Sequence, residues 1–138
     1  MTTTMPATAP AQVARDVLHR LETAWNGGDG EAFGAEYTAT ASFVTIRGEH
    51  ITGATAIGQG HHSIFRTIYA GSVNSMELTA VQQISENVLI SVAVCTLDCP
   101  TGPLVGIHRA TSTSVLVRDT VDNERWQIAA TQNTLMTT

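Results

Sequence analysis

The sequence predicts an α+β domain in which helices come first and a sheet follows. Three observations carry that prediction. Apolar residues recur at helical spacing from Val13 to Trp25, and again along the stretch from Ala54 to Tyr69. After Gly71 the apolar period becomes two. Short polar or Pro/Gly turns separate the period-two runs, as hairpin connections require. Helices followed by hairpin-linked strands are the pattern of helices packed on an antiparallel sheet.

Val13, Val17, Leu18, Leu21, Ala24 and Trp25 fall on one stripe, giving a first helix of about four turns. Asn26-Gly27-Gly28 stops it, because glycine takes the left-handed cap conformation without a steric cost. Asp29 caps a second helix, Asp29 to Thr38, on which Phe33 and Tyr37 lie four apart on one face. Phe43-Val44-Thr45-Ile46 has strand composition, so Ser42 to Arg47 reads as the first strand. It closes at Gly48, and a polar turn leads to Gly53. The third helix, Ala54 to Tyr69, aligns Ile57, His61, Ile64, Phe65 and Ile68. Gly58 and Gly60 weaken it by up to about 1 kcal/mol each relative to Ala.

Ser72 to Ser85 alternates, with Met76, Leu78, Ala80 and Ile84 on one side. Val88, Ile90, Val92 and Val94 alternate through to Leu97, after a Ser85-Glu86-Asn87 hairpin turn. Asp98 to Pro103 is a longer turn, His108 to Arg118 a strand, Asp119 to Asn123 a polar turn, and Arg125 to Thr134 the last strand. The order is α-α-β-α-β-β-β-β. A sheet of this size twists and curls, three helices fill its concave side, and a blind pocket remains between them.

The 138 residues suffice for one domain over residues 11–135, after a flexible Thr- and Pro-rich tail over residues 1–10. Charged residues make up only 14% of the chain, well below the usual quarter, which suggests a surface partly covered by a second copy. A net charge of −5 without a basic stripe argues against nucleic acid. The N-terminus has neither the basic nor the apolar region of a signal peptide, no run is long enough to span a bilayer, and two cysteines build no secreted-type framework. A cytoplasmic location is the expectation.

His61 is the titratable residue best placed for chemistry, on the apolar face between Ile57 and Phe65. It serves either as a general acid or base near neutral pH, or as a core histidine held by a backbone carbonyl or a threonine. Gln132, sharing the face of Trp126, Ile128 and Ala130, reads as an inward amide for a ligand or for a structural hydrogen bond. Trp25, Tyr37, Phe43, Phe65 and Trp126 fall on core faces, and a pocket among them suits a flat apolar ligand. Cys95 and Cys99, with His108 near the following turn, lack the second pair that a zinc site needs. There is no nucleotide-binding glycine fingerprint and no nucleophile elbow. Neither a cofactor nor a metal is expected.

AWNGGDGEAFGAEYT, SFVTIRG, the G-x-x-x-I-x-x-x-H-x-x-x-F run from Gly53 to Phe65, and the closing RWQIAATQNT together resemble one family. It is the SgcJ/EcaC branch of the nuclear-transport-factor-2-like (SnoaL-like, cystatin-like) superfamily, and the resemblance spans Val13 to Thr134. It implies a conical fold: a curved antiparallel sheet wrapped on three helices around a pocket, dimeric through the sheet. Members of this branch occur with enediyne polyketide synthase clusters. The implied role is an accessory protein that holds, or acts on, a polyene intermediate.

The chain also departs from its relatives. Thr40-Ala41 stands where the family often has Asp-Ala, and Thr45 where ketosteroid isomerase relatives place a catalytic aspartate. The Asp-Arg-Asp set of epoxide-hydrolase relatives is not assembled. Two main readings follow. One is a binding protein whose pocket is lined by Trp25, Phe43, Thr45, Phe65, His108, Trp126 and Asn133. The other is a cofactor-free cyclase or isomerase with His61 as acid/base and Gln132 or Tyr37 as hydrogen-bond donor. A structural partner of the synthase is a third.

Overall fold

The computed structural model describes residues 5–119, 121 and 125–137. Its elements are α1 (Met5–Asn26), α2 (Gly30–Gly34), β1 (Tyr37–Val44), β2 (His50–Thr52), α3 (Ala54–Phe65), β3 (Val73–Ser85), β4 (Val88–Cys99), β5 (Gly106–Arg118) and β6 (Trp126–Leu135). They build the expected α+β architecture, helices packed on a curved sheet. The six strands lie in the order β2-β1-β6-β5-β4-β3.

The sheet is mixed rather than antiparallel. β1 pairs with β6 in parallel, with Phe43 opposite Thr131, while all the other pairs run antiparallel. The helix α3 between β1 and the later strands lets the chain return to the far side of the sheet, so its last strand arrives beside its first. The sequence predicts only a polar turn where β2 forms. Three residues are enough for a hairpin with β1 because Thr45 closes the turn, its N–H donating to Glu49 O at 2.9 Å.

The helical stretches start and stop for local reasons. α1 ends at Asn26, Gly28 takes φ 66°, and Asp29 N–H returns to Ala24 O at 2.8 Å, the left-handed glycine cap that the sequence calls for. At its other end α1 already includes Met5, so the helix occupies part of the stretch read as a tail. Alanines at 7, 9, 11 and 14 favour that extension. Residues 1–4 lie outside the described residues. Asp29 caps α2 by accepting from Ala32 N–H at 3.0 Å. That helix spans only Gly30–Gly34, and Tyr37 opens β1 instead of extending it. α3 ends at Phe65, four residues earlier than its apolar stripe, and the chain continues in turns through Tyr69.

Two of the register shifts in the sheet, one in β3 and one in β6, reset which side chains face inward. In β3, Leu78 pairs with Ala93 and Ala80 with Val92, leaving Thr79 unmatched. Met76 and Leu78 therefore pack on the core, followed by Val81, whereas Ala80 and Ile84 turn outward; Ile84 is 52% exposed. In β6, Val115 pairs with Ala130 and Leu116 with Ile128, leaving Ala129 unmatched. Ile128 and Thr131 are consequently buried, Asn133 is half-buried, and Gln132 is exposed. The inward amide is thus Asn133, not Gln132.

The core lies between α1, α2, α3 and the inner face of the sheet, centred on Val17, Leu21, Phe33, Ile57, Leu89, Leu116 and Ile128. Each buries enough apolar surface to contribute roughly 1.5–3 kcal/mol. The opposite face of β4 and β5 carries a half-buried row of Ile90, Val92, Val94 and Val115. The turn read as Asp119 to Asn123 lies largely outside the described residues. None of the described helices is long and apolar enough to cross a membrane.

Candidate functional site

The site begins with the contact between α2 and α3. A Cβ on Gly34 would lie 2.7 Å from Ala54 O and 2.8 Å from Gly58 Cα, and one on Gly30 only 2.5 Å from His62 N. Side chains would hold the two backbones apart, so three glycines are what lets them touch. Gly58, which costs α3 intrinsic stability, is one of them. The close approach stacks His61 on Phe33, with ring centroids 4.0 Å apart and planes 24° apart.

Aromatic rings surround this pair. Phe43 of β1 meets His61 edge-on at 5.1 Å, Trp25 lies 5.9 Å from His61 and 4.9 Å from Phe65, and Tyr37 bridges Phe33 and Phe43 at 5.8 and 5.7 Å. Such offset and edge contacts each add roughly 0.5–1.5 kcal/mol beyond burial. Trp25 is pinned by a hydrogen bond from Nε1 to Ser72 Oγ at 2.9 Å, with Tyr69 beside it at 5.5 Å. The rings form a roof over one end of the sheet.

His61 is buried, and its Nδ1 lies 2.8 Å from Ile57 O, to which it donates. Burial lowers its pKa from 6.5 to about 4, against the carbonyl bond that favours the charged form. At neutral pH it is therefore a neutral ring with its proton committed to the backbone. Tyr37 is also buried. Burial raises its hydroxyl well above the usual tyrosine range, although a hydrogen bond with Thr131 acts in the other direction. Thr131 in turn meets Ser114, oxygen to oxygen at 2.8 Å, so a short line of hydroxyls crosses from β1 to β5.

Beneath the rings the inner face of the sheet is made of small side chains. Register places Ser91, Ser114 and Thr131 in one row, Ala93, Ser112 and Asn133 in the next, and Cys95 and Ala110 beyond them. Ser91, Ala93 and Thr131 are buried, but Cys95, Ala110, Ser112 and Asn133 are only half-buried although they face the helices. The helices do not close over this end. Burial pushes the Cys95 thiol up to about 11, with the Glu22 carboxylate adding to the effect. The aromatic end is filled, whereas the small residues beyond it are only partly covered.

The other predicted site residues are dispersed. Thr45 has its hydroxyl in the β1–β2 turn, accepting from Arg47 N at 3.2 Å and Glu49 N at 3.1 Å. His108 bonds through Nε2 to Leu104 O at 2.7 Å, stabilising the loop before β5. Asn133 donates from Nδ2 to Val44 O at 2.9 Å, tying β6 to β1. Gln132, corrected above to the exposed side, donates to Asn133 O at 3.1 Å. Trp126 sits under the Arg118 guanidinium at 5.4 Å, where it helps line an open depression of about 380 Å³ with Val13, Asp16, Arg20 and Arg125. A second depression, of about 410 Å³, runs between α1 and β3 and includes Leu18, Glu22, Met76 and Leu78. His61 lines neither.

Two polar residues of the interior escape sequence reasoning. Glu36 is buried and takes Arg20 Nε at 2.9 Å and Arg125 Nη2 at 3.4 Å, while its backbone oxygen accepts from Ile128 N–H at 2.8 Å. Asn74 is buried on the inner face of β3, and its Oδ1 has no partner among the described residues. In a chain with so few charges, an acid beside an aromatic residue at a helix end was the available signal for Glu36. Asn74, falling on the inward phase of an otherwise apolar strand, was the signal for itself.

The fold recurs in solved structures. A domain of unknown function with a cystatin-like fold from Nostoc punctiforme is 26% identical, with a TM-score of 0.83 over 99% of this chain and 81% of that one. A ketosteroid isomerase-like protein from Erwinia carotovora is 18% identical, with a TM-score of 0.75 over 92% and 96% of the two chains. A protein of the nuclear-transport-factor-2-like family from Streptomyces avermitilis is 16% identical, with a TM-score of 0.74 over 96% and 99%. No protein-family model matches the chain, and no curated protein matches it. The chain has the cystatin-like, nuclear-transport-factor-2-like fold.

Proposed function

We propose that this protein is a binding accessory of enediyne polyketide biosynthesis, which receives an apolar polyene intermediate between its helices and sheet. One observation carries the reading: half-buried small side chains at Cys95, Ala110, Ser112 and Asn133, next to a rigid aromatic wall at Trp25, Phe43 and Phe65. Small residues on a concave face leave volume, and aromatic walls suit a flat conjugated ligand. The motif resemblance from Val13 to Thr134 narrows that ligand to a polyene. A homodimer formed through the Ile90, Val92, Val94 and Val115 face, in the cytoplasm and near the synthase, completes the proposal.

Catalysis by His61 has less support. An acid/base residue needs a proton to exchange near neutral pH, and His61 keeps its single proton on Nδ1 against Ile57. Gln132, on the exposed side, is no donor to a ligand inside. Fold similarity to an isomerase-like protein does not supply the missing groups. The test is titration with a conjugated polyene, retinol serving as probe, read by quenching of Trp25 emission in a Trp126→Phe background. Saturable quenching with an unchanged ligand spectrum over hours is the expected result. No quenching overturns the binding reading, and a spectrum that changes with wild type but not with His61→Ala replaces it with an enzyme.

A further inference from the structure

Asn74 is placed as if to meet a ligand. It lies on the inner face of β3, two residues after buried Ser72 of the preceding turn and opposite buried Leu97. Its backbone is fixed without help from its own amide. Asn26 Oδ1 accepts from Asn74 N–H at 2.7 Å, and Asn26 Nδ2 donates to Asn74 O at 3.1 Å. The side chain is therefore not needed to hold the strand, yet it is 6% exposed with an unpaired carbonyl oxygen. A buried acceptor without a donor is costly, and native structures retain few of them. An apolar residue would pack there at no such cost.

The surroundings define the missing partner. Trp25 is within reach, since its Nε1 is bonded to Ser72 two residues away, and Cys95 faces the neighbouring position Met76. Glu22 Oε2 accepts from Met76 N–H at 2.7 Å, which puts a carboxylate beside this corner. An anionic group would be repelled there, and a hydrocarbon would leave Oδ1 unpaired. A neutral hydroxyl donates to the oxygen and carries no charge.

The structure assigns Asn74 as the polar anchor of the pocket, the residue that selects ligands bearing a neutral hydroxyl on an apolar body. This rests on the binding reading above and adds to it a specificity that an all-apolar pocket would lack. The ligand class is a hydroxylated polyene, as against its carboxylate or its hydrocarbon.

Three probes with closely similar C20 polyene bodies test it on the full chain: retinol, retinoate and anhydroretinol, each titrated into wild type and Asn74→Leu. Retinol is expected to bind wild type at least about tenfold more tightly than the other two, a typical return for one buried hydrogen bond plus the relief of an unpaired group. Asn74→Leu should bind anhydroretinol as well as wild type or better, lose the preference for retinol, and unfold at a temperature no lower than wild type. Equal binding of all three probes, or a preference that survives Asn74→Leu, overturns the anchor while leaving the pocket standing. A fall in melting temperature with unchanged preference makes the amide structural, bonded to a trapped water, and also overturns it. If no probe binds, the pocket reading fails and the anchor with it. Asn74→Ala, which cannot overpack the site, serves as the second variant.

Discussion

Replacing His61 by Phe should remove a defined pH dependence from the stability of the fold. The ring is enclosed by Phe33, Phe43, Trp25 and Phe65, and no charged side chain contributes to the lowering of its pKa. In the unfolded chain the imidazole titrates near 6.5; in the folded chain it titrates near 4. Between those values the unfolded state binds a proton that the folded state does not, so stability falls as the pH is lowered through the window. Above about pH 6.5 this site contributes no slope. At about 1.4 kcal/mol per tenfold change in proton affinity the whole drop is worth roughly 3 kcal/mol, of which about 2.5 kcal/mol is lost by pH 4.5. Urea unfolding of wild type and His61→Phe at intervals from pH 7.5 to 4.5 reads this directly. The other groups that titrate are common to both proteins, so the difference between the two curves isolates the ring. It should stay constant down to about pH 6.5 and then move in favour of the variant by about 2.5 kcal/mol. Curves that remain parallel to pH 4.5 would refute a buried neutral imidazole, whatever the offset from the lost bond to Ile57.

Three other outcomes follow from particular contacts. Gly34→Ala puts a methyl group within 2.7–2.8 Å of α3 backbone atoms, which must shift; a loss of about 1–3 kcal/mol in urea is expected, against a gain of up to about 1 kcal/mol for Gly60→Ala inside α3, whose Cβ would meet only Ile51 Cδ1 at 3.9 Å. Glu36→Gln removes the negative charge that Arg20 and Arg125 share; because both side chains are nearly half exposed, the expected cost is about 1–3 kcal/mol rather than that of a fully buried pair, and thermal denaturation at pH 7 measures it. Val92→Asp on the outer sheet face should convert a dimer to a monomer by light scattering, and a wild type already monomeric at 100-fold dilution of the stock (roughly micromolar chain) would end the dimer proposal.

Much of the fold was legible because its signals are local. The stripe from Val13 to Trp25, the glycine stop at 27 and 28, the Asp29 cap and the short hairpin turn at Ser85-Glu86-Asn87 each depend on neighbours in sequence. What failed depends on partners far along the chain. Nothing near Ser42 says that Phe43 will pair in parallel with Thr131, nearly ninety residues later. Phe33 and Tyr37 were read as helical neighbours; they are neighbours, at 5.8 Å, yet Tyr37 lies in a strand. The aromatic cluster around His61 was visible from composition, but the glycine contact that positions it was not. Gly30 and Gly34 look like flexible positions until α3 is laid across them.

The bulges explain why the polar lining of the site was the least legible part. A strict period of two assigns every residue after an error to the wrong face. One unmatched residue, Ala129, exchanges Gln132 for Asn133 and brings Thr131 to Tyr37; another, Thr79, exchanges Ala80 for Val81. Thr79 holds its place by donating from its own hydroxyl to Val92 O at 3.0 Å, a bond that a threonine can make and that alternation cannot anticipate. Asn74 precedes Thr79 along β3, in phase with Met76 and Leu78, so simple alternation places it on the inner face. Bulges also tighten the local twist of a sheet, so the same two residues that redirect the side chains help to curve β3 and β6 around the helices. Pocket shape and pocket chemistry are thus set together, and a substitution that removed either bulge would change both at once.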